Sequence, residues 1–273
     1  MSETIEPPAP VVIPSLPQAK PLPWSFWPTT GLGFAIGFVF LSVQTAVAVI
    51  AVFAFNTDLL GEAEKIALEF ERLAMDGRVL SVSMLVSFPV MLLGCLLFAK
   101  MRKGITSKNY FSLRPMRAGW WIGLPLFTIG FSLLMGWFLQ WVGAPETNPF
   151  MLQMAKSVRE VPLMLVGVVL FAPVAEEFLF RGFLFRGWEE SRLRLAGTIV
   201  LTSVTWALIH GQYDVYGLIY IFVLGVVLGL SRVITKSLYG PILIHLVNNA
   251  FAMYMVMGLP VEEAPVGLSL FGL

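Results

Sequence analysis

Charge is scarce in this chain. Only 13% of its 273 residues are Asp, Glu, Lys or Arg, and 57% are hydrophobic, where a soluble domain carries roughly 25% charged residues. That balance excludes an ordinary soluble domain. The net charge is +1 and no basic cluster stands out, which excludes nucleic acid as a partner. Cysteine occurs once, as Cys95 in an apolar run; no internal disulfide can form, and the residue reads as a small core side chain. Histidine occurs twice, His210 and His245, and no His-Glu-x-x-His spacing is present. There is no internal repeat. The N-terminus has no basic n-region, so it does not read as a secretory signal peptide.

What the chain has in abundance is long apolar runs. They are continuous rather than alternating, which predicts an all-α polytopic helical membrane bundle and not a barrel. Seven transmembrane helices are expected, at 31–55, 79–99, 119–142, 161–187, 196–210, 215–233 and 238–257. Residues 1–28 hold eight of the 18 prolines and read as a disordered or extended tail. Segment 56–78 carries charged residues that include Glu62, Glu64, Lys65, Glu69, Glu71, Arg72 and Asp76, while Leu60, Ala63, Ala67, Phe70 and Leu73 recur at helical spacing; it reads as one amphipathic surface helix. The chain then divides into the tail (1–28), N-terminal membrane helices with the amphipathic segment (29–160), a polar-motif core (161–258) and a short C-terminal tail (259–273). Trp24, Trp27, Trp120, Trp121, Trp137 and Trp141 suit the membrane interface. Gly225 and Gly229 form a small-xxx-small pair that lets helices approach closely.

Lys100, Arg102, Lys103, Lys108, Arg114 and Arg117 make 100–118 the most basic loop. The positive-inside rule places that loop in the cytoplasm. Counting spans puts the N-terminus inside as well, together with Arg186, Arg192, Arg194, Arg232 and Lys236.

Against this apolar background, three late spans carry polar groups. The 161–187 run, long enough to cross a bilayer at about 20 residues, has Glu176, Glu177 and Arg181 near its middle. Ionisable groups at that depth are costly unless paired or hydrated. Glu177 and Arg181 are four apart in the favourable order for a helix ion pair and read as architectural. Glu176 lies about 100° round the helix and has no partner in its own segment. The fifth span places Trp206 one turn before His210, on the same face. The seventh places His245 and Asn249 on one face, with Asn248 about 100° away. Side chains of this kind turn toward the bundle interior, so Glu176, His210, His245 and Asn249 are expected to converge. A desolvated carboxylate is a usable general base. Beside it, His210 can hold and polarise a water, and His245 and Asn249 can donate to a developing oxyanion. No Ser or Cys nucleophile accompanies the set, so hydrolysis by activated water is the simplest chemistry.

Glu176-Glu177-Phe178-Leu179-Phe180-Arg181, then Trp206 to His210, then His245 to Asn249, all in membrane helices, resemble the motifs of the CAAX prenyl protease type II and bacteriocin-processing family of intramembrane proteases. The resemblance covers about 161–252, including Phe222, Gly225 and Gly229. Trp206 stands where that family usually has Phe. The resemblance implies a glutamate-type, metal-independent membrane endopeptidase without a cofactor. Glu176 and His210 would activate water, His245 and Asn249 would form the oxyanion site, and Glu177, Arg181 and Trp206 would support them. It also implies a peptide or lipid-modified protein C-terminus as substrate, membrane lipids as surroundings and the plasma (inner) membrane of a bacterium as location. Two other readings of the same residues stand beside it. One is a zinc-dependent membrane metalloprotease, since Glu and His are legitimate zinc ligands. The other is a non-catalytic immunity or scaffold protein, or a transporter with a proton-relay glutamate.

Overall fold

A backbone in lipid must satisfy its own N–H and C=O groups, and a helix does this within one segment. The computed structural model follows that rule. It describes residues 22–55, 63–74, 76–145, 150–152 and 161–257, and among these there is no strand. The helices, in chain order, are α1 (Phe26–Phe55), α2 (Ala63–Ala74), α3 (Gly77–Met101), a single turn α4 (Ser107–Tyr110), α5 (Trp120–Trp141), α6 (Val161–Trp188), α7 (Arg194–Leu208), α8 (Val215–Thr235) and α9 (Tyr239–Met257). The protein is an integral helical membrane bundle.

Six of these helices are long and apolar enough to cross a membrane. The expected seventh span is α7, which has only 15 residues and covers about 22 Å at 1.5 Å per residue. It is a short apolar helix, so six of the seven expected spans reach full length among the described residues. Of the expected N-terminal tail, residues 22–28 fall among the described residues. Helix α1 starts at Phe26, and just before it Trp24 donates its indole N–H to the Phe98 carbonyl at 2.9 Å. Residues 1–21 and 258–273 lie outside the described residues, as do parts of 56–78 and 143–160. Within 56–78, the described amphipathic helix is α2, whose Ile66, Phe70 and Leu73 pack with Val52 and Val79.

Helix α1 runs along α3, α7 along α8, and α9 lies against α5 and α8. Helix α6 packs on α3 and α9. One core runs from Ile36 through Phe88, Phe180 and Leu224 to Ile244, so both halves of the chain share it. The α7–α8 contact is made through missing side chains. A Cβ on Gly225 would sit 2.9 Å from Ser203 Cβ, and one on Gly229 would sit 3.0 Å from Ile199 Cγ2. This is the close approach that the glycine spacing predicts.

At one end of the bundle the basic loop is stitched to its neighbours. Arg102 Nε donates to the Leu22 carbonyl at 2.9 Å, Arg232 Nη2 to Ser112 Oγ at 2.8 Å and Ser237 Oγ to the Arg114 carbonyl at 2.6 Å. Trp188 joins in by donating to Thr30 Oγ1 at 3.0 Å. The chain therefore gathers its 100–118 loop, the end of α6 and the α8–α9 connection on one side. The α7–α8 turn, capped by Asp214 onto the Gly217 N–H at 2.8 Å, follows the far end of α7.

Candidate active site

Helix α6 carries Pro173, which has no N–H and whose ring crowds the carbonyl four residues back. Residues Val166–Phe171 widen into a π-helical turn, and the Ala172 N–H reaches back five residues to the Gly167 carbonyl. A second π-helical stretch follows at Phe178–Leu184. Between the two lie Glu176 and Glu177, both buried. Such widenings recur at functional sites because they re-aim side chains without ending the helix.

Glu176 is 7% exposed, and its partner comes from another helix. Trp206, in the last turn of α7, donates its indole N–H to Glu176 Oε2 at 2.6 Å. The same indole is packed on several sides. The Arg181 guanidinium lies 4.7 Å from its centroid. The imidazoles of His210 and His245 meet it edge-on at 5.2 and 5.1 Å, with interplanar angles of 76° and 78°. One side chain thus gathers Glu176, Arg181 and both histidines from α6, the end of α7 and α9.

Glu177 and Arg181 form the expected ion pair, at 3.1 Å and with neither side chain exposed. The pair does more than tie one turn of helix. Arg181 Nη2 donates to the Gly225 carbonyl of α8 at 3.1 Å, and Glu177 Oε1 also accepts from His245 Nδ1 at 2.9 Å. A carboxylate only accepts, so His245 carries its proton on Nδ1 and turns Nε2 away from Glu177.

His210 does not sit in a helix. Helix α7 ends at Leu208, and His210 falls in the turn after it. There its Nδ1 lies 2.8 Å from the Trp206 carbonyl, one of the acceptors that a helix end leaves over. A carbonyl also only accepts, so Nδ1 is again the protonated nitrogen and Nε2 is free for other work. His210 packs on the residue that holds Glu176.

Asn249 donates to the Val168 carbonyl at 2.9 Å. That carbonyl lies five residues before Pro173, whose missing N–H would otherwise serve it in a π-helical pattern. The second amide hydrogen of Asn249 is left over. Asn248, expected about 100° away from the site face, lines the same cavity. Its Oδ1 accepts from the hydroxyls of Tyr220 and Ser132, and its Nδ2 donates to Asn249 Oδ1 at 3.2 Å. Motif spacing missed Tyr220, Ser132 and Tyr213. The available signal was a set of hydroxyls within or beside otherwise apolar helices.

Glu176, His210, His245 and Asn249 line one cavity of about 1100 Å³. Its walls are largely apolar, with Phe34, Phe38, Met84, Phe88, Leu179 and Leu224 among them. Tyr213 borders it too; burial, and secondarily the Glu176 charge, push its phenol up to about 12. It is therefore a hydroxyl and not a phenolate at ordinary pH. Among the described residues no group of three or more His, Cys, Asp or Glu is placed to hold a metal ion.

The curated proteins that the chain resembles include the following. A membrane-embedded CAAX protease, MroQ, of Staphylococcus aureus (strain USA300) is 28% identical over 144 residues, 48% of this chain and 57% of that protein. A 24.3 kDa protein of Escherichia coli is 28% identical over 141 residues, 49% of this chain and 62% of that protein. The aligned region thus spans less than two thirds of either relative. No solved structure matches the chain significantly. Residues 158–251 match the family model described as Type II CAAX prenyl endopeptidase Rce1-like, and this region encloses all three motifs on which the family resemblance was read.

Proposed function

We propose that the chain is an intramembrane endopeptidase that hydrolyses a peptide bond with water activated by Glu176 and without a metal ion. The observation that carries this is the single indole contact set. It brings a buried carboxylate and two imidazoles from distant parts of the sequence to one cavity.

The chemistry follows from the free atoms. With Oε2 of Glu176 held by Trp206, Oε1 is the oxygen available to a water in the cavity. His210, its Nδ1 occupied by the Trp206 carbonyl, offers Nε2 to the same water. Glu176 takes a proton as the water oxygen bonds to the scissile carbonyl carbon. The carbonyl oxygen becomes an oxyanion, and two donors are suited to it: the spare amide hydrogen of Asn249 and the Nε2–H that His245 carries as an imidazolium. The C–N bond then breaks, and Glu176 passes its proton to the departing nitrogen.

Zinc is a poorer account of the same residues. Glu177 is engaged by Arg181 and His245, and the remaining donors do not form a three-ligand group among the described residues. The apolar walls favour a substrate that carries a lipid chain, such as a lipid-modified C-terminus. The basic end of the bundle belongs in the cytoplasm by the positive-inside rule, with the N-terminus on that side, in the plasma membrane of a bacterium. The test is incubation of the purified full chain with matched prenylated and unprenylated peptides, read by mass spectrometry. Wild type is expected to cleave, with the prenylated series faster, and Glu176→Ala and His210→Ala are expected not to. Cleavage retained by both variants would refute the proposal.

A further inference from the structure

We infer that Trp206 is the positioning residue for the Glu176 carboxylate: its indole N–H fixes one carboxylate oxygen, so that the other faces the cavity in the ionised form. This rests on the hydrolase reading above and adds a residue whose polar atom, and not only its ring, serves the reaction.

The hydrogen bond crosses from α7 to α6, 30 residues apart in sequence. An indole N–H can only donate, and an ionised carboxylate can only accept. Burial opposes the ionised form, whereas a donor aimed at that form favours it. The bond is short at 2.6 Å, just under the roughly 2.7–2.9 Å of charge-assisted N–H···O contacts. Trp206 is 2% exposed, so its N–H has no bulk water as an alternative partner.

The indole is also held in place. Arg181 covers its face at 4.7 Å and is itself tied to Glu177 and to the Gly225 carbonyl. The two imidazoles close on its ring at 5.1 and 5.2 Å. Rotating the indole away from Glu176 would break all of these contacts together. A phenyl ring at 206 could make the ring contacts and could not make the hydrogen bond. Trp206→Phe therefore isolates the one atom in question.

Two measurements on the full chain in detergent micelles test this. In the first, kcat and KM for a cleaved peptide are followed against pH for wild type and Trp206→Phe, with thermal midpoints recorded alongside. The variant is expected to lose about tenfold in kcat with KM within about twofold. The acid limb of its kcat profile is expected to move up by about one pH unit. In the second, the indole resonances of the eight tryptophans are recorded from the 15N-labelled protein, the Trp206 peak being the one that survives single Trp→Phe substitution of each of the others. Glu176→Ala is expected to move that peak upfield more than any other indole peak. This readout uses native Trp206, so it decides the contact even if Trp206→Phe does not fold. A wild-type pH profile in Trp206→Phe, or an indole resonance indifferent to Glu176→Ala, overturns the inference. Wild type inactive on every peptide, with the resonance still moving, would instead remove the hydrolase reading and leave the contact standing.

Discussion

His245 Nδ1 lies 2.9 Å from Glu177 Oε1, and that same oxygen binds Arg181. The carboxylate that reads as purely architectural in the sequence therefore also sets which nitrogen of His245 carries the proton. Glu177→Gln can present either its oxygen or its NH2 to that nitrogen. Activity on a cleavable peptide is expected to fall by about 10²–10⁴-fold, the larger figure being that of a catalytic histidine held in the wrong tautomer. KM should change little. A variant with wild-type kcat would show that His245 needs no such orientation.

Removing Arg181 has a different signature. Its guanidinium and Glu177 are both fully buried, and an uncompensated buried charge costs about 3–5 kcal/mol. Arg181→Met is expected to lower the thermal midpoint in micelles strongly. Glu177→Gln/Arg181→Met should recover part of that loss. Two independent, additive losses would contradict the coupling.

The structure accounts for Asn249 through Pro173. If the Asn249 amide serves the Val168 carbonyl left without a donor, Asn249→Ala should cost about 1–3 kcal/mol of stability. In a Pro173→Ala background, where a backbone N–H returns, the same change should cost less. A double-mutant cycle read by thermal denaturation measures the difference. A coupling of zero would detach Asn249 from the proline.

Helix contact through Gly225 is testable by size. A side chain there would meet Ser203 Cβ at 2.9 Å and its Cα at 3.1 Å. Backbone atoms cannot step aside as a flexible side-chain end can. Gly225→Val is expected to cost about 1–3 kcal/mol by overpacking and to disturb the carbonyl that binds Arg181. Gly37→Ala is the control, because a Cβ there meets nothing within 4 Å.

The Tyr213 phenol gives a pH dependence with a definite sign. Its ordinary value of 10.0 is raised to about 12, by burial first and by the Glu176 charge second. The folded state therefore holds this proton more tightly than the unfolded chain does. The associated stability is present below pH 10 and drains away as pH rises toward 12. Tyr213→Phe is expected to flatten stability against pH over that window. An unchanged alkaline slope would place the effect elsewhere.

Much of this was legible from residue order. Continuous apolar runs located the spans to within a few residues, because a lipid-buried backbone has few alternatives to a helix. The cost of ionisable groups in lipid singled out Glu176, Glu177 and Arg181. Three things were not legible. The end of α7 at Leu208 depends on His210 finding the Trp206 carbonyl, a tertiary outcome of a short helix. The partner of Glu176 is an indole N–H on another helix, and spacing within one segment cannot show it. Asn248 lines the cavity despite its angular offset from His245, because Tyr220 and Ser132 approach from α8 and α5, and such wide walls use more than one helix face.

The central claim is that Glu176 activates water unaided by a metal. It is tested most directly by the rate of peptide cleavage after exhaustive chelation, with wild type and Glu176→Gln compared in the same metal-free buffer. The account predicts an unchanged wild-type rate and a loss of about 10²–10⁴-fold in the variant. A wild-type rate that collapses on chelation and returns with zinc, or a Glu176→Gln rate equal to wild type, would contradict it.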